Sequence, residues 1–159
     1  MKTIKQKIIK SRKRKRAKSE SKIKGTIRSI RKKGTTSIEE KIKTLLESMN
    51  LKFLKEAAIK IGGVTKFYDF YVFKKNEYEF FVECHGGYWH PMIFENNEEK
   101  LSIPKEKLTR LQKRNIKNDR FKMRLSERLG IPLLIFYEND INKNIDKLKN
   151  IILEQIKIW

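Results

Sequence analysis

Residues 83–91 read Glu-Cys-His-Gly-Gly-Tyr-Trp-His-Pro, and they follow a segment, residues 78–84, that alternates as a β-strand does. The stretch places an acid, two histidines, two glycines and two large aromatic residues within a few positions. In a core, each of these polar groups would need its own buried hydrogen-bond partner. The composition therefore indicates an active site at the end of a strand.

Two further segments predict strands upstream of this stretch. Residues 51–57 and 66–74 are rich in aromatic and aliphatic residues, and Lys-Asn-Glu at 75–77 is a turn sequence. Together with residues 78–84 they predict a meander of three strands.

Acids and an imidazole meet at one edge of this meander. Asp69 lies in its second strand, and Glu83 and His85 lie at the end of its third. Oxygen ligands select Mg²⁺, and a neutral imidazole with a pKa of ~6.5 accepts protons at physiological pH. A metal that neutralises the phosphate and a base that activates water are what phosphodiester hydrolysis needs. The acids and the imidazole at this edge could supply both.

A helix is predicted before the meander. Residues 35–37, Thr-Thr-Ser, supply its N-terminal cap, and Asn50 tolerates the backbone of its C-terminus. Its apolar face consists of Ile38, Ile42, Leu45, Leu46 and Met49.

The remaining chain predicts a loop, two helices and one more strand. Residues 91–104 read as a loop between two prolines, and residues 105–129 as a long helix stopped by Gly130. Residues 133–137 form an apolar strand suited to a buried place in a mixed sheet. Residues 141–157 predict a last helix with Ile145, Leu148, Ile152 and Ile156 on one side. The expected fold is one α/β domain.

The net charge of +20 is concentrated in the N-terminal segment. Residues 1–33 hold 16 Lys and Arg and one acid, Glu20, and we treat them as an arm attached to a domain of residues 34–159. Such a segment repels itself, whereas binding to phosphates releases counterions, so we expect DNA or RNA contact. The alternatives are a nuclear-localisation signal or a solubilising arm. The densest basic run is Arg12, Lys13, Arg14, Lys15 and Arg16.

Other features of the sequence bear on compartment and arm structure. Ile23, Ile27 and Ile30 recur at helical spacing and suggest a short amphipathic helix. No apolar run approaches the ~18 residues of a membrane span, and Cys84 is the one cysteine. We expect a soluble protein without membrane contact, cytoplasmic in a bacterial or phage-infected cell and nuclear in a eukaryote.

Five stretches resemble one nuclease family in order. They are Ser-Ile-Glu-Glu-Lys-Ile (37–42), Tyr-Asp-Phe (68–70), Cys-His-Gly-Gly-Tyr-Trp-His (84–90), Asn-Ile-Lys-Asn-Asp-Arg (115–120) and Leu-Gly-Ile-Pro-Leu-Leu-Ile (129–135). From Thr36 to about Tyr137 the chain resembles the very-short-patch-repair endonucleases and the phage homing endonucleases of the EDxHD type. Both groups belong to the PD-(D/E)XK superfamily, so the resemblance implies a restriction-endonuclease-like core with a small mixed sheet flanked by helices.

The resemblance also implies roles for individual residues. Asp69, Glu83 and the main-chain carbonyl of Cys84 would hold Mg²⁺, and His85, in the position of the superfamily's lysine, would be the base. His90 and Asp119 would support the reaction or supply a proton to it. Glu39 would be an orienting group that reaches the site from the first helix. Asn115, Tyr88 and Trp89 are predicted to contact double-stranded DNA.

Departures from the family pattern favour the phage-type branch. Glu83 replaces an apolar residue and adds a carboxylate, while Tyr68 replaces a proline. With Cys84 as the one cysteine, the repair enzymes' structural zinc site is not expected. Homing or mobile-element cleavage is therefore favoured over mismatch nicking. A monomer would nick one strand, and a double-strand break would need a dimer or sequential nicks.

Each assignment has a structural alternative. Glu39 could be a first-turn acid favoured by the helix dipole, and Asp119 could form a surface ion pair with neighbouring cations. Tyr88 and Trp89 could be core aromatics rather than a wedge that stacks on bases. The whole chain could be a non-catalytic basic protein that binds DNA or RNA.

Overall fold

The computed structural model describes residues 27–29, 36–95 and 98–158. Its strands are β1 (Ile27–Ser29), β2 (Phe53–Ile61), β3 (Val64–Lys74), β4 (Tyr78–His85), β5 (Met92–Glu95), β6 (Glu98–Leu101) and β7 (Leu133–Tyr137). Its helices are α1 (Ser37–Ser48), α2 (Arg110–Leu129), α3 (Glu138–Lys143) and α4 (Ile145–Lys157).

Five strands of the described chain form one mixed sheet in the order β1-β2-β3-β4-β7. The first four are antiparallel neighbours, and β7 pairs parallel with β4. The predicted meander and the predicted α/β class, a small mixed sheet flanked by helices, are confirmed. The expectation of a buried β7 was wrong in part, because it is an edge strand and Phe136 alone of its residues is fully buried.

Helix α1 has the predicted cap and the predicted apolar face. The Thr36 hydroxyl accepts a hydrogen bond from the Glu39 backbone N–H at 3.3 Å. After Met49, the C-cap, Asn50 adopts the left-handed backbone with φ of 54°. The apolar face is buried at Ile38, Ile42, Leu45 and Leu46.

The long helix begins later than the sequence pattern predicted. A 3₁₀ turn occupies Lys105–Lys107, and α2 starts after Thr109. Thr109 and Gln112 form a reciprocal capping box, in which each side chain accepts from the other's backbone N–H, at 3.1 and 3.0 Å. The predicted stop is confirmed, since Gly130 caps the helix in the left-handed conformation with φ of 70°.

Three other predicted segments are corrected. The predicted loop 91–104 contains the hairpin of β5 and β6. The sequence pattern did not predict it, because every residue of β6 is exposed and burial therefore does not alternate along this strand. The last helix is divided at Asn144 into α3 and α4. Ile27–Ser29 belongs to a strand rather than to the suggested arm helix, and Ile23 and Ile30 lie outside the described residues.

The sheet has a core on each face. One face packs on α1, α3 and α4 through an apolar cluster that includes Phe70, Val72, Phe80 and Val82. The other face carries a smaller cluster around Tyr68 and Phe81, and a third cluster joins the hairpin to α2. Among the described helices, none combines the length and apolarity needed to cross a membrane.

Candidate active site

Asp69 and Glu83 lie where β3 and β4 separate. The pairing of these strands runs from Lys74 and Tyr78 to Phe70 and Val82, and the two acids are the next residues on either strand. The Asp69 carboxylate reaches across to the main chain of β4, and the Glu83 carboxylate contacts Lys122 of α2. The predicted convergence of these two acids is confirmed.

A distortion of β2 and β3 sets the direction of Asp69. Tyr68 stacks on Phe81 on one face of the sheet, whereas Phe70 packs in the core cluster on the other face. Residues two apart in a regular strand share a face, so β3 turns over at Asp69. On the neighbouring strand Glu56 has φ of 52°, in the left-handed region that a bulge uses.

The Asp69 carboxylate is fixed by the main chain of β4. The Cys84 backbone N–H donates to Asp69 Oδ2 at 2.7 Å. Burial, followed by the negative charge of Glu83, raises the pKa of Asp69 to about 8, although Lys122 and the bond from Cys84 oppose this shift. A carboxylate of this kind gains from a nearby cation.

Glu83 is buried and held by a lysine that the sequence patterns did not identify. Lys122 Nζ donates to Oε1 and Oε2 of Glu83 at 2.7 and 2.8 Å. Burial alone would lower the pKa of Lys122, but Glu83, Asp69 and Asp119 together raise it, so the ammonium stays charged. Burial raises the pKa of Glu83, and Lys122 opposes that shift.

His85 lies deep in the same site. It is 2% exposed, and its Nε2 is 3.9 Å from Glu83 Oε2 and 4.0 Å from Asp119 Oδ1. Burial, then the charge of His90, lowers the pKa of His85 to about 3, so the ring is neutral at physiological pH. Its Nδ1 has no hydrogen-bond partner in the described structure.

His90 and Asp119 form a hydrogen-bonded pair. Nδ1 of His90 lies 2.9 Å from Oδ2 of Asp119. The residue Asp119 is 2% exposed, whereas the His90 side chain is 22% exposed. Asp119 is therefore a buried partner of an imidazole, and the surface ion-pair alternative was wrong. Oδ1 of Asp119 lacks a partner within the described residues.

Glu39 points inward from the first turn of α1. Its side chain is 14% exposed, and its Oε2 is 3.9 Å from Lys55 Nζ but receives no hydrogen bond from the described residues. Its charge helps to raise the pKa of both Asp69 and Cys84, so it is close to the acid cluster. Glu39 therefore faces the site as well as occupying a favourable place on the helix.

The turn after β4 presents two aromatic side chains to solvent. Tyr88 is 64% exposed and Trp89 51% exposed, and their rings meet edge to face at 4.8 Å. The core-aromatic alternative was therefore wrong. Gln112 and Asn115 donate from α2 to the carbonyls of Tyr88 and Trp89 at 2.8 and 2.9 Å, and thus fix the turn.

One face of α2 supplies a polar stripe to the site. Gln112, Asn115, Asp119 and Lys122 recur three or four residues apart, the spacing that puts side chains on one side of a helix. The first two hold the turn, the third holds His90 and the fourth holds Glu83. This spacing from Asn115 and Asp119 was the signal in the sequence that could have identified Lys122.

The acid cluster fits a hard divalent cation. Glu39, Asp69 and Glu83 contribute three carboxylates, of which Glu83 is paired with Lys122 and Glu39 lies near Lys55. Burial and the charge of Glu83 raise the pKa of Asp69, and Glu39 Oε2 accepts no hydrogen bond from the described residues. Carboxylate oxygens are the donors Mg²⁺ prefers. Because Lys122 engages both Glu83 oxygens, Asp69 and Glu39 are the less encumbered donors.

The histidine pair fits a metal less well. His85, His90 and Asp119 offer donor atoms within 4.8 Å of one another. The two rings, however, are stacked at 4.0 Å with planes only 16° apart. Nitrogen lone pairs lie in the ring plane, so two stacked rings do not aim at one ion, which needs both nitrogens at ~2.0–2.1 Å. This arrangement suits proton transfer.

The structure thus brings together Glu39, Asp69, Glu83, Cys84, His85, His90 and Asp119, with Tyr88, Trp89 and Asn115 at the rim. The predicted DNA-contacting arm residues, Arg12, Lys13, Arg14, Lys15 and Arg16, lie outside the described residues. Comparison with protein-family models, curated proteins and solved structures gave no match.

Proposed function

We propose that this chain is a Mg²⁺-dependent DNA endonuclease with a PD-(D/E)XK-type core. The observation that carries the proposal is the cluster of Asp69 and Glu83 beside Lys122, where two strands separate, with Glu39 close to Asp69. Burying acids is costly unless a cation compensates them, so such clusters occur where binding or catalysis requires them. When bound, Mg²⁺ would neutralise charge on the phosphate and orient the attacking water.

The chain's own groups would divide the remaining work. The Cys84 N–H orients Asp69, and Lys122 holds Glu83 in one rotamer. The Asp119 carboxylate orients the His90 ring, whose Nε2 is left to exchange a proton with water or the leaving oxygen. Glu39 would complete the cation site from α1.

The choice between the two histidines follows from pKa and exposure. A proton acceptor works best when its pKa is near the working pH. His85 has a pKa lowered to about 3 and is almost inaccessible, which makes it a weak base. We therefore assign proton transfer to His90 and a packing role to His85, and the assignment of the base to His85 stays a competing prediction.

The DNA contacts are proposed at two places. Tyr88 and Trp89 stand exposed beside the acid cluster, where they would stack on bases next to the scissile phosphate. The arm of residues 1–33 would neutralise backbone phosphates and supply much of the affinity. Homing or mobile-element cleavage is favoured, and mismatch nicking is the second candidate within the same chemistry.

Cleavage of a supercoiled plasmid with Mg²⁺ or with EDTA tests the proposal. We expect nicking with Mg²⁺ alone, and we expect Asp69→Asn to reduce it to background while DNA affinity stays nearly intact. The exposed Asp146→Asn on α4 is the matched control and should cut as the wild type does. A fully active Asp69→Asn would refute the site. Binding without cleavage of plasmid, mismatched and single-stranded substrates would favour the non-catalytic alternative.

A truncation separates the arm from the domain. Deleting residues 1–22 removes eleven Lys and Arg and keeps β1, which a deletion to residue 33 would destroy. The plot of log K against log[salt] should become shallower by about 0.9 for each phosphate that the arm no longer neutralises. Cutting should persist at low salt, because the proposed site begins at Glu39. An unchanged salt slope would show that these residues do not bind DNA.

A further inference from the structure

A groove beside the candidate site has the composition of a nucleotide-binding site. Its volume is about 480 Å³, and it lies between β3 and the solvent side of α2. Its lining consists of three cations, two amides and one aromatic ring: Lys66, Arg114, Lys117, Asn115, Asn118 and Phe121. Pockets that hold small molecules have volumes of about 300–1,000 Å³, so the groove suits a single nucleotide rather than a duplex.

The charge of the groove is positive and uncompensated. None of its lining residues is acidic. Arg114 and Lys117 are exposed, and no acid in the described parts of the chain pairs with either of them. Lys66 is held in place by Asn118, whose Oδ1 accepts from its ammonium at 2.5 Å. One anchored cation and two exposed ones can converge on an anion such as a phosphate.

The aromatic ring gives the groove a second kind of contact. Phe121 is 38% exposed, although a residue of this size in a soluble protein usually buries more of its surface. Lys66 Nζ lies 4.8 Å from the ring centroid and fixes one side of the ring. The exposed surface of Phe121 is thus available to stack on a flat, electron-rich partner.

The groove is continuous with the turn that carries His90. Asn115 lines the groove and also donates to the Trp89 carbonyl. Asn115 thus connects Trp89 with the part of the groove formed by Arg114, Lys117 and Phe121.

We propose that this groove binds one unstacked nucleotide of a single DNA strand, with a phosphate on Arg114 and Lys117 and the base on Phe121. The choice of DNA as the nucleic acid rests on the proposed function. The choice of an unstacked nucleotide rests on the groove, because bases inside a duplex do not expose their faces, whereas a single strand offers them to aromatic side chains.

Binding of a labelled oligothymidine of five nucleotides, and of an abasic strand of equal length, tests the proposal. Fluorescence anisotropy of the full chain is measured in EDTA, so that neither metal nor cleavage enters the result. Phe121→Ala should weaken binding of oligothymidine on the order of tenfold and should leave binding of the abasic strand unchanged. Phe121→Tyr should bind oligothymidine as the wild type does. Leu153→Ala, which also removes a half-exposed apolar side chain, is the control.

The phosphate contacts have their own readout. The double variant Arg114→Ala and Lys117→Ala should make the salt dependence of binding shallower by about 1.4, because each contact with a single strand contributes about 0.7. It should do so equally on both strands, because both carry phosphates. The control is the double variant Arg124→Ala and Arg128→Ala, two exposed cations of α2 outside the groove.

The proposal fails if Phe121→Ala behaves as Leu153→Ala on both strands, or if the two double variants are indistinguishable. It also fails if Phe121→Ala weakens binding of the abasic strand as much as that of oligothymidine. Since none of these readouts needs catalysis, a protein that never cuts DNA but shows the predicted pattern would refute the proposed function and leave the groove in place.

Discussion

The two faces of the main sheet are built from the same strands with opposite chemistry. Strand β4 sends Phe80, Val82 and Cys84 to the face covered by α1, α3 and α4, where the cluster is apolar and closely packed. Its alternate residues, Phe81, Glu83 and His85, face α2. One strand thus contributes both to the main core and to the polar site.

The apolar face of the sheet stabilises the fold, whereas the polar site on the other side reduces its stability. Burial of the apolar face stabilises the fold in proportion to the area removed from water. At the candidate site, three buried polar atoms of the described chain lack hydrogen-bond partners, one of them on Glu39 of α1, and two acids have raised pKa values. Such features reduce stability and persist where function needs them.

The largest effect we predict concerns the two histidines of the α2 face. His90→Ala should lower the cleavage rate by ~10²-fold or more, because it removes the proposed general base. His85→Phe should lower it much less, since a phenyl ring can still stack on His90. Single-turnover measurements give both rates. A rate loss in His85→Phe equal to that in His90→Ala would return the base role to His85.

The next prediction compares the faces directly. Leu46→Ala on the apolar face should lower the free energy of unfolding by about 3 kcal/mol, because it leaves a cavity at a fully buried position. Lys122→Met on the polar face should cost about 2 kcal/mol, because Glu83 loses both hydrogen bonds from Lys122 and keeps the one from the Asp69 backbone. Urea denaturation without metal measures both changes.

The same pair should differ in activity in the opposite sense. Folded Leu46→Ala should cut nearly as the wild type does, whereas Lys122→Met should lose cleavage because Glu83 is no longer held. Adding Glu83→Gln to Lys122→Met should recover part of the stability and none of the activity. If Lys122→Met stays fully active, the Lys122–Glu83 pair is structural only.

Elements with a clear hydrophobic period could be predicted from sequence. The apolar stripe of α1, the strands of the meander and the apolar run of β7 were predicted as elements, and the structure contains all three. Burial alternates along part of β3, whereas nearly every residue of β4 is buried. The β5–β6 hairpin could not be predicted in this way. Its second strand is wholly exposed, so burial imposes no pattern on residues 98–101.

The site could be predicted as far as its residues form local motifs. Residues 83–91 carry two histidines in a short stretch, and both are in the site. Lys122 lies 39 positions from Glu83, among other lysines and arginines of α2. Its spacing from Asn115 and Asp119 places it on their side of the helix, but only tertiary packing shows that it meets Glu83. The same reasoning applies to the groove, whose cations come from β3 and α2.

The smallest predicted effect concerns proton competition at Asp69. Burial and Glu83 raise its pKa from 3.8 to about 8, so the folded protein holds this proton more tightly than the unfolded chain does. The stability that the protonated carboxyl provides is complete below pH ~4, declines as the pH rises toward 8 and is lost above it. Mg²⁺ bound at Asp69, as proposed, would require the ionised carboxylate and would have to displace the proton.

As the pH is raised toward 8, Mg²⁺ affinity should accordingly increase by about tenfold per pH unit. Above pH 8 the affinity should level off. Calorimetric titrations at pH 6.5, 7.5 and 8.5, in two buffers of different ionisation enthalpy, measure the affinity and the number of protons released. At pH 6.5 we expect about one proton per ion, and at pH 8.5 a much smaller number. Asp69→Asn should remove the pH dependence and should be more stable than the wild type above pH 8, because it buries no charge. An affinity that is constant from pH 6.5 to 8.5, without proton release, would show that Asp69 does not bind the cation. The α2 face of the sheet would then carry its buried acids for another reason.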